Sequence, residues 1–388
     1  MDVYKTFQVS FGPKIIAGVG VLNQLPNELR ILGITKPMIV TDKGLIDAGL
    51  IKSVTDVLND VGISYSIFDD LKTNPDTISV EKGFKVFREG ACDGLIAVGG
   101  GSPIDVGKSI GVIATNGGKI GDYEGFDKFQ KPIIPLITIP TTVGTGSEVT
   151  LGAVITNIET HVKMVIASPK MYAKVTFLEP SLVKNLPGFI TAATGMDALT
   201  HAIEGYISKG SNPITDALNY KAITLIAKSL RQAVTGDALE HKYNMLLASC
   251  IAGLGFHNAG LGLVHAMASP VSGHFGVHHG VANAILLPYV MKYNIYACPE
   301  KFAEIAEAMG ENLDGLNMME KAEKAIDAVV RLRKDVGIQD SLRKVGVNPD
   351  DSKLEVMVKD ALDSCDLPSN PRKYSKESIL DLFKEVIG

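Results

Sequence analysis

Near residue 180 the hydrophobic periodicity of this chain changes, and that change constrains its fold more than any other feature of its 388 residues. Before it, short β-branched runs bounded by turn residues alternate with helical spacing. The runs are PMIVTD (37–42), SYSIFD (64–69), DGLIAVGG (93–100) and IPLITIPTT (134–142), and the helical stretches cover 44–61, 76–90 and 103–115. Repeated strand–helix–strand units require right-handed crossovers, so the pattern predicts a parallel sheet flanked by helices. LGAVITNIETHVKMVIASP (151–169) reads as a β-hairpin turning near Asn157–Thr160. From about 186 the spacing becomes helical, as in LPGFITAATGMDALTHAIEGYIS, NPITDALNYKAITLIAKSLRQAV, PEKFAEIAEAMG and MEKAEKAIDAVVRLRKDVG. The expectation is an α/β domain over 1–184 followed by an all-α domain over 185–388, at a length that exceeds what one core usually serves.

Composition narrows the functional classes. A net charge of −5 supplies no basic excess for phosphates, which argues against a nucleic-acid partner or an anionic membrane surface. The four cysteines, Cys92, Cys250, Cys298 and Cys365, lie far apart without CxxC spacing and read as reduced thiols of a cytoplasmic protein. MDVYKTFQVSFGPK lacks the basic-then-apolar pattern of a signal peptide. The apolar region near 250–290 is broken by glycines, prolines and five histidines, so no membrane span is expected there.

AVGGGSPIDVGK (97–108) follows a strand and opens a helix. Ser102 is the expected cap and Pro103 suits the first turn, where a missing N–H costs nothing. Gly99, Gly100 and Gly101 let backbone approach a bulky anion at the positive end of that helix, and a pyrophosphate fits such a loop. This is not the common dinucleotide fingerprint, because Ile104 stands where a third glycine belongs. Asp42, at a strand end, precedes the loop; its carboxylate suits a ribose diol and repels a 2′-phosphate, favouring NAD over NADP. TIPTTVGTGSEVT (138–150) is a second Gly/Thr-rich strand end, offering Thr141, Thr142, Thr145 and Gly146 to a nicotinamide or phosphate.

No Asp, Glu, Lys or Arg occurs between Tyr243 and Met291, yet His257, His265, His274, His278 and His279 fall there. A long uncharged helical stretch is expected to be buried, and buried imidazoles need partners. Asp197 and His201 lie one helical turn apart in TGMDALTHAIEG (194–205), where no Lys or Arg occurs from Asn185 to Ser208. Such a pair also suits a solvated helix face. Beside several buried histidines it points instead to a carboxylate-plus-imidazole site for Fe(II) or Zn(II), and the absence of thiolate ligands argues against structural zinc.

Taken together, GGGSPIDVGK, IPTTVGTGSEVT, TAATGMDALTHAIEGYIS and GLGLVHAMASPVSGHFGVHHGVANAILLPYV resemble the iron-containing (group III) alcohol dehydrogenases, and the likeness runs nearly end to end. The resemblance implies a dehydroquinate synthase-like architecture: an N-terminal dinucleotide-binding domain and an all-helical metal-binding domain. It implies one divalent metal held by Asp197, His201, His265 and His279. It places cofactor contacts at Asp42, Asn74, Gly99, Gly100, Gly101, Ser102, Asp105, Thr141, Thr142 and Lys163. Many relatives carry a second histidine four residues after the first, where this chain has Ser269; His274 and His278 are then candidates, with Ser269, to line an altered substrate pocket.

The activity implied is reversible, metal-assisted, NAD-dependent oxidation of a small primary alcohol, or reduction of a short aldehyde, by a homo-oligomer. Alternatives within that reading are a reductase for an aldehyde with a carboxylate or sulfonate tail and a polyol dehydrogenase. A dehydroquinate synthase needs many basic side chains, which the uncharged 243–291 stretch does not offer. A non-catalytic binding protein has no need of both a nucleotide cradle and a metal site.

Overall fold

The computed structural model describes residues 6–72, 74–159, 163–236 and 238–388, which form two compact units. The α/β unit, residues 11–186, contains β1 (Lys14–Ala17), α1 (Leu25–Ile31), β2 (Pro37–Val40), α2 (Lys43–Asp47), α3 (Lys52–Asp60), β3 (Ser66–Phe68), α4 (Thr77–Glu89), β4 (Gly94–Gly99), α5 (Gly101–Asn116), β5 (Gly125–Phe126), β6 (Leu136–Pro140), β7 (Gly152–Thr156), β8 (Lys163–Ala167) and β9 (Val175–Leu178). Six strands form a parallel sheet in the order β1-β9-β6-β4-β2-β3. β2, β4, β6 and β9 are buried throughout, as expected where helices cover both faces. Period-two alternation divides their side chains: Met38, Val40, Leu95 and Ala97 join one core, Ile39, Ile96 and Val98 the other.

Chain order reverses direction between β2 and β4, which makes their carboxyl ends the topological switch point of the sheet. Asp42 follows β2, the glycine loop follows β4, and Thr141–Thr145 follows β6. Three adjacent parallel strands therefore deliver all three segments to one edge.

A smaller sheet, β5-β8-β7, includes the expected hairpin: β7 and β8 pair antiparallel, Thr156 opposite Lys163. Thr160, at the expected turn, lies outside the described residues. The stretch expected to be one helix over 44–61 is two, because Gly49 takes a left-handed φ of +70° between α2 and α3. The short strands β1 and β9 carried no alternation long enough to read.

The helical unit comprises α6 (Gly188–Ile207), α7 (Pro213–Thr235), α8 (Leu239–Ala259), α9 (Leu263–Phe275), α10 (His279–Asn294), α11 (Pro299–Ala308), α12 (Met318–Asp335), α13 (Asp351–Leu362) and α14 (Lys376–Ile387). Every residue of α6 from Thr191 to Ile207 is buried, which makes it the central helix, packed by α7, α8 and α10. Residues 6–10 group with this unit, a difference from the expected 1–184 domain. The Ser10 N–H donates to Asn258 Oδ1 of α8 at 2.8 Å, and Asn258 Nδ2 donates back to the Ser10 carbonyl at 3.1 Å. Among the described residues no single helix is long and apolar enough to cross a membrane; α8 and α9 pass that test only as a pair, bent by 110°.

Candidate active site

Within the helical unit, α6 carries Asp197, His201 and Glu204 at i, i+4 and i+7, a spacing that sets all three on one stripe. α9 brings His265 and α10 brings His279 with Asn283 one turn on. One ligand atom from each of Asp197, His265 and His279 lies within 4.8 Å of the others. Asp197 Oδ1 is 3.8 Å from His265 Nε2 and 4.0 Å from His279 Nε2. α10 reaches this position through Gly280: a Cβ there would lie 2.1 Å from the Ala193 carbonyl of α6.

The three atoms converge on one amide. Asn283 Nδ2 donates to Asp197 Oδ1 at 2.6 Å and lies 3.1 Å from the Nε2 of both His265 and His279. Asn283 Oδ1 is buried with no hydrogen-bond partner among the described residues. One NH2 has two hydrogens for these three atoms, so the amide alone cannot satisfy all of them at once. A carboxylate and imidazoles in that arrangement suit Fe(II) or Zn(II).

His201 is placed differently. Its ring stacks between Phe256, at 4.3 Å between centroids, and His265, at 4.6 Å. It adjoins the set without belonging to the three atoms that converge. Burial opposes ionisation of Asp197, but the charges of His201, His279 and His265 and the Asn283 bond outweigh it and hold the carboxyl below its ordinary value. Burial likewise opposes a charged His265, yet the hydrogen bond and charge of Glu204 raise its pKa.

The expected substrate-pocket residues are dispersed. Ser269 is half-buried, one turn along α9 from His265. His274 is engaged by α13, with Nε2 2.6 Å from Asp360 Oδ2 and Nδ1 accepting from Lys353 Nζ at 3.0 Å. That pairing ties two helix ends together and leaves His274 little freedom as a pocket residue. His278 caps α10, its Nδ1 accepting from the Gly280 N–H at 3.2 Å, and its ring meets Phe189 edge-on. Burial pushes the His278 pKa down. Glu204 and Asn283 were not singled out from sequence, although each sits at helical spacing from a residue that was: i+7 from Asp197 and i+4 from His279.

In the α/β unit, Gly99 has φ +151° and its carbonyl accepts from the Thr141 N–H at 3.0 Å, joining the two loops. The cap of α5 is Gly100, not the expected Ser102, which lies inside the first turn. No side chain caps that helix start, because three glycines leave backbone where a cap would stand. A Cβ on Gly100 would come within 3.1 Å of Thr142 Cγ2, and one on Gly101 within 3.3 Å of Thr145 Cγ2. Thr142 Oγ1 is buried with no hydrogen-bond partner among the described residues. A helix N-terminus, bare backbone and an unsatisfied hydroxyl together make a cradle suited to a pyrophosphate.

Asp42 caps α2, its Oδ1 accepting from the Leu45 N–H at 3.0 Å. Asn74 is exposed on the bend before α4. Asp105 is half-buried, and its carboxylate accepts from Ser147 Oγ at 2.6 Å and from the Val154 N–H at 3.0 Å. Burial raises its pKa, partly offset by Lys108 and Lys163. Lys163, at the start of β8, is lowered by burial and raised by Asp105. Lys108, fully buried, donates to the carbonyls of Ser147, Thr150 and Gly152 at 2.7, 2.8 and 2.7 Å, binding α5 to the Thr-rich loop.

Two family profiles match the chain: "Iron-containing alcohol dehydrogenase" over residues 12–180, and "Fe-containing alcohol dehydrogenase family, C-terminal" over 191–387. The 1,3-propanediol dehydrogenase of Klebsiella pneumoniae is 47% identical over 379 residues, covering 97% of this chain and 96% of that one. Among solved structures, a 1,3-propanediol oxidoreductase is 44% identical with a TM-score of 0.96, over 98% of this chain and all of that one. The sulfoacetaldehyde reductase of Bifidobacterium kashiwanohense, solved with NAD+, is 29% identical with a TM-score of 0.90, over 99% of both chains.

Proposed function

The chain belongs to the iron-containing alcohol dehydrogenase family, and from that premise we propose that it interconverts a small primary alcohol and its aldehyde with NAD(H) and one divalent metal. The observation that carries the metal reading is the convergence of Asp197 Oδ1, His265 Nε2 and His279 Nε2 on the Asn283 amide. These three residues, with His201 as the fourth ligand, would hold Fe(II) or Zn(II). When bound, the ion supplies Lewis acidity, which lowers the pKa of an alcohol or polarises a carbonyl. NAD(H) supplies the hydride acceptor or donor.

The chain's own part is to hold and orient. Gly100, Gly101 and Ser102 at the first turn of α5 would hold the pyrophosphate, and the unpartnered Thr142 Oγ1 would be available to donate to it. Thr141 and Thr145 belong to the neighbouring loop, and Asn74 and Lys163 are further candidate contacts for the cofactor. Asp42 would accept from the ribose hydroxyls and repel a 2′-phosphate, which favours NAD over NADP. Asp105 would stand beside the cradle, its carboxylate accepting from Ser147 Oγ on the Thr-rich loop and from the Val154 N–H of β7.

A short neutral diol or hydroxyaldehyde is the substrate class best supported. The relative at 47% identity is a 1,3-propanediol dehydrogenase, and residues 244–290 contain no Lys or Arg to pair with a carboxylate or sulfonate tail. The test is kcat/KM for NADH-dependent reduction across short aldehydes that carry hydroxyl, methyl, carboxylate or sulfonate ends. Highest values for the hydroxyl-bearing aldehydes are expected; a clear preference for the anionic ones would overturn this assignment.

A further inference from the structure

The Glu204 carboxylate is buried beside His265 and is bound by three donors from the start of α9. Glu204 Oε1 accepts from the Val264 N–H at 2.7 Å, and Oε2 accepts from the His265 N–H at 3.4 Å and from His265 Nδ1 at 2.6 Å. α9 has no side-chain cap of its own, since Gly262 holds that position, and a Cβ there would come within 3.1 Å of Glu204 Oε1. A carboxylate lent by α6 therefore does two things at once. It closes the N-terminal turn of α9, and it fixes which imidazole nitrogen of His265 carries hydrogen.

We propose that Glu204 is a positioning residue of the metal centre: it holds His265 in the Nδ1–H tautomer, so that Nε2 presents its lone pair beside Asp197 Oδ1. This rests on the metal reading above. The stripe Asp197–His201–Glu204 on α6 thus contributes both candidate ligands and the partner of a ligand, an arrangement that orients an imidazole and raises its basicity. Asp366 also faces this pair, but its carboxylate accepts from Ser364 Oγ at 3.3 Å.

Glu204→Gln separates orientation from simple packing. It keeps the side-chain length, and its amide oxygen still accepts from the Val264 N–H. Its NH2 donates to His265 Nδ1 and so places the ring hydrogen on Nε2, where the lone pair is needed. In metal-stripped full-length protein, at a pH where the His265 ring is neutral, histidine 15N spectra are expected to show it as Nδ1–H in the parent and as Nε2–H in E204Q. Co(II) affinity, measured by chelator competition, is expected to fall about tenfold to a hundredfold in E204Q. An Nε2–H tautomer in the parent, or unchanged tautomer and Co(II) affinity in E204Q, would overturn the role of Glu204. A parent protein that takes up no Co(II) would instead overturn the metal reading itself. The parent tautomer needs no variant, so the inference stays open to refutation even if E204Q folds poorly.

Discussion

Asn283 Nδ2 lies 2.6 Å from Asp197 Oδ1, so a neutral donor from α10 holds the one carboxylate at the point where two imidazoles also converge. A carboxylate bound in this way keeps its orientation and part of its charge is compensated. Asn283→Ala is expected to leave the chain folded and to weaken metal retention about tenfold. Metal content after dialysis against a buffered chelator checks it.

Replacing Asp197, His265 or His279 by Ala is expected to abolish metal retention and turnover together, because each supplies one of three converging atoms. His201→Ala is expected to do the same if that ring turns from its stack on Phe256 and His265 to act as the fourth ligand. Equal metal content in H201A and the parent would confine His201 to packing. Metal analysis and aldehyde reduction on the same preparations separate the two outcomes.

Glu148, on the Thr-rich loop, predicts a pH dependence of stability. It is buried, its Oε1 has no hydrogen-bond partner among the described residues, and burial pushes its pKa from 4.5 up to about 7. The folded chain therefore binds a proton that the unfolded chain releases between those values. The stabilisation is present in full below pH 4.5 and is lost as pH rises through 7, amounting to about 3 kcal/mol from this group alone. Glu148→Gln is expected to flatten this part of the stability profile, as read from denaturant unfolding between pH 4.5 and 7.5.

Much of this was legible in the sequence because periodicity is a local signal. β2, β4 and β6 are short, buried on both faces and bounded by turn residues, and α6 and α7 show long helical spacing. What escaped was set by contacts between distant segments. Only packing reveals that Gly100 and not Ser102 caps α5, that His274 is taken by Asp360, or that Asp105 accepts from Ser147. Asp197 and His201 drew attention through their spacing on α6. Glu204, on the same stripe, did not, since a lone glutamate in a helix is unremarkable until its partner on α9 is known.

Lys108 is the tie between the glycine loop's helix and the Thr-rich loop. Its buried ammonium satisfies three carbonyls, and burial lowers its pKa to about 8. Lys108→Met fills similar volume but leaves those carbonyls without a donor. A loss of about 2–5 kcal/mol in unfolding free energy is expected. The loosened loop should also weaken NADH binding, measured by fluorescence titration below the unfolding midpoint.

The role proposed for Asp42 at the ribose predicts the choice between dinucleotides. Asp42→Ala removes the charge that opposes a 2′-phosphate, along with a cap of α2. The ratio of kcat/KM for NADPH to that for NADH is expected to rise about tenfold, the equivalent of about 1.4 kcal/mol. An unchanged ratio would place the discrimination elsewhere.

Metal dependence is tested by turnover against added Fe(II), or separately Zn(II), in chelator-stripped protein under anaerobic conditions, with NADH and a short hydroxyaldehyde. Negligible activity without metal, a linear rise to a break at one equivalent per chain, and no recovery in H279A are expected. Full turnover in protein stripped of metal would contradict the metal reading, and would reduce the convergence of Asp197, His265 and His279 to a structural cluster.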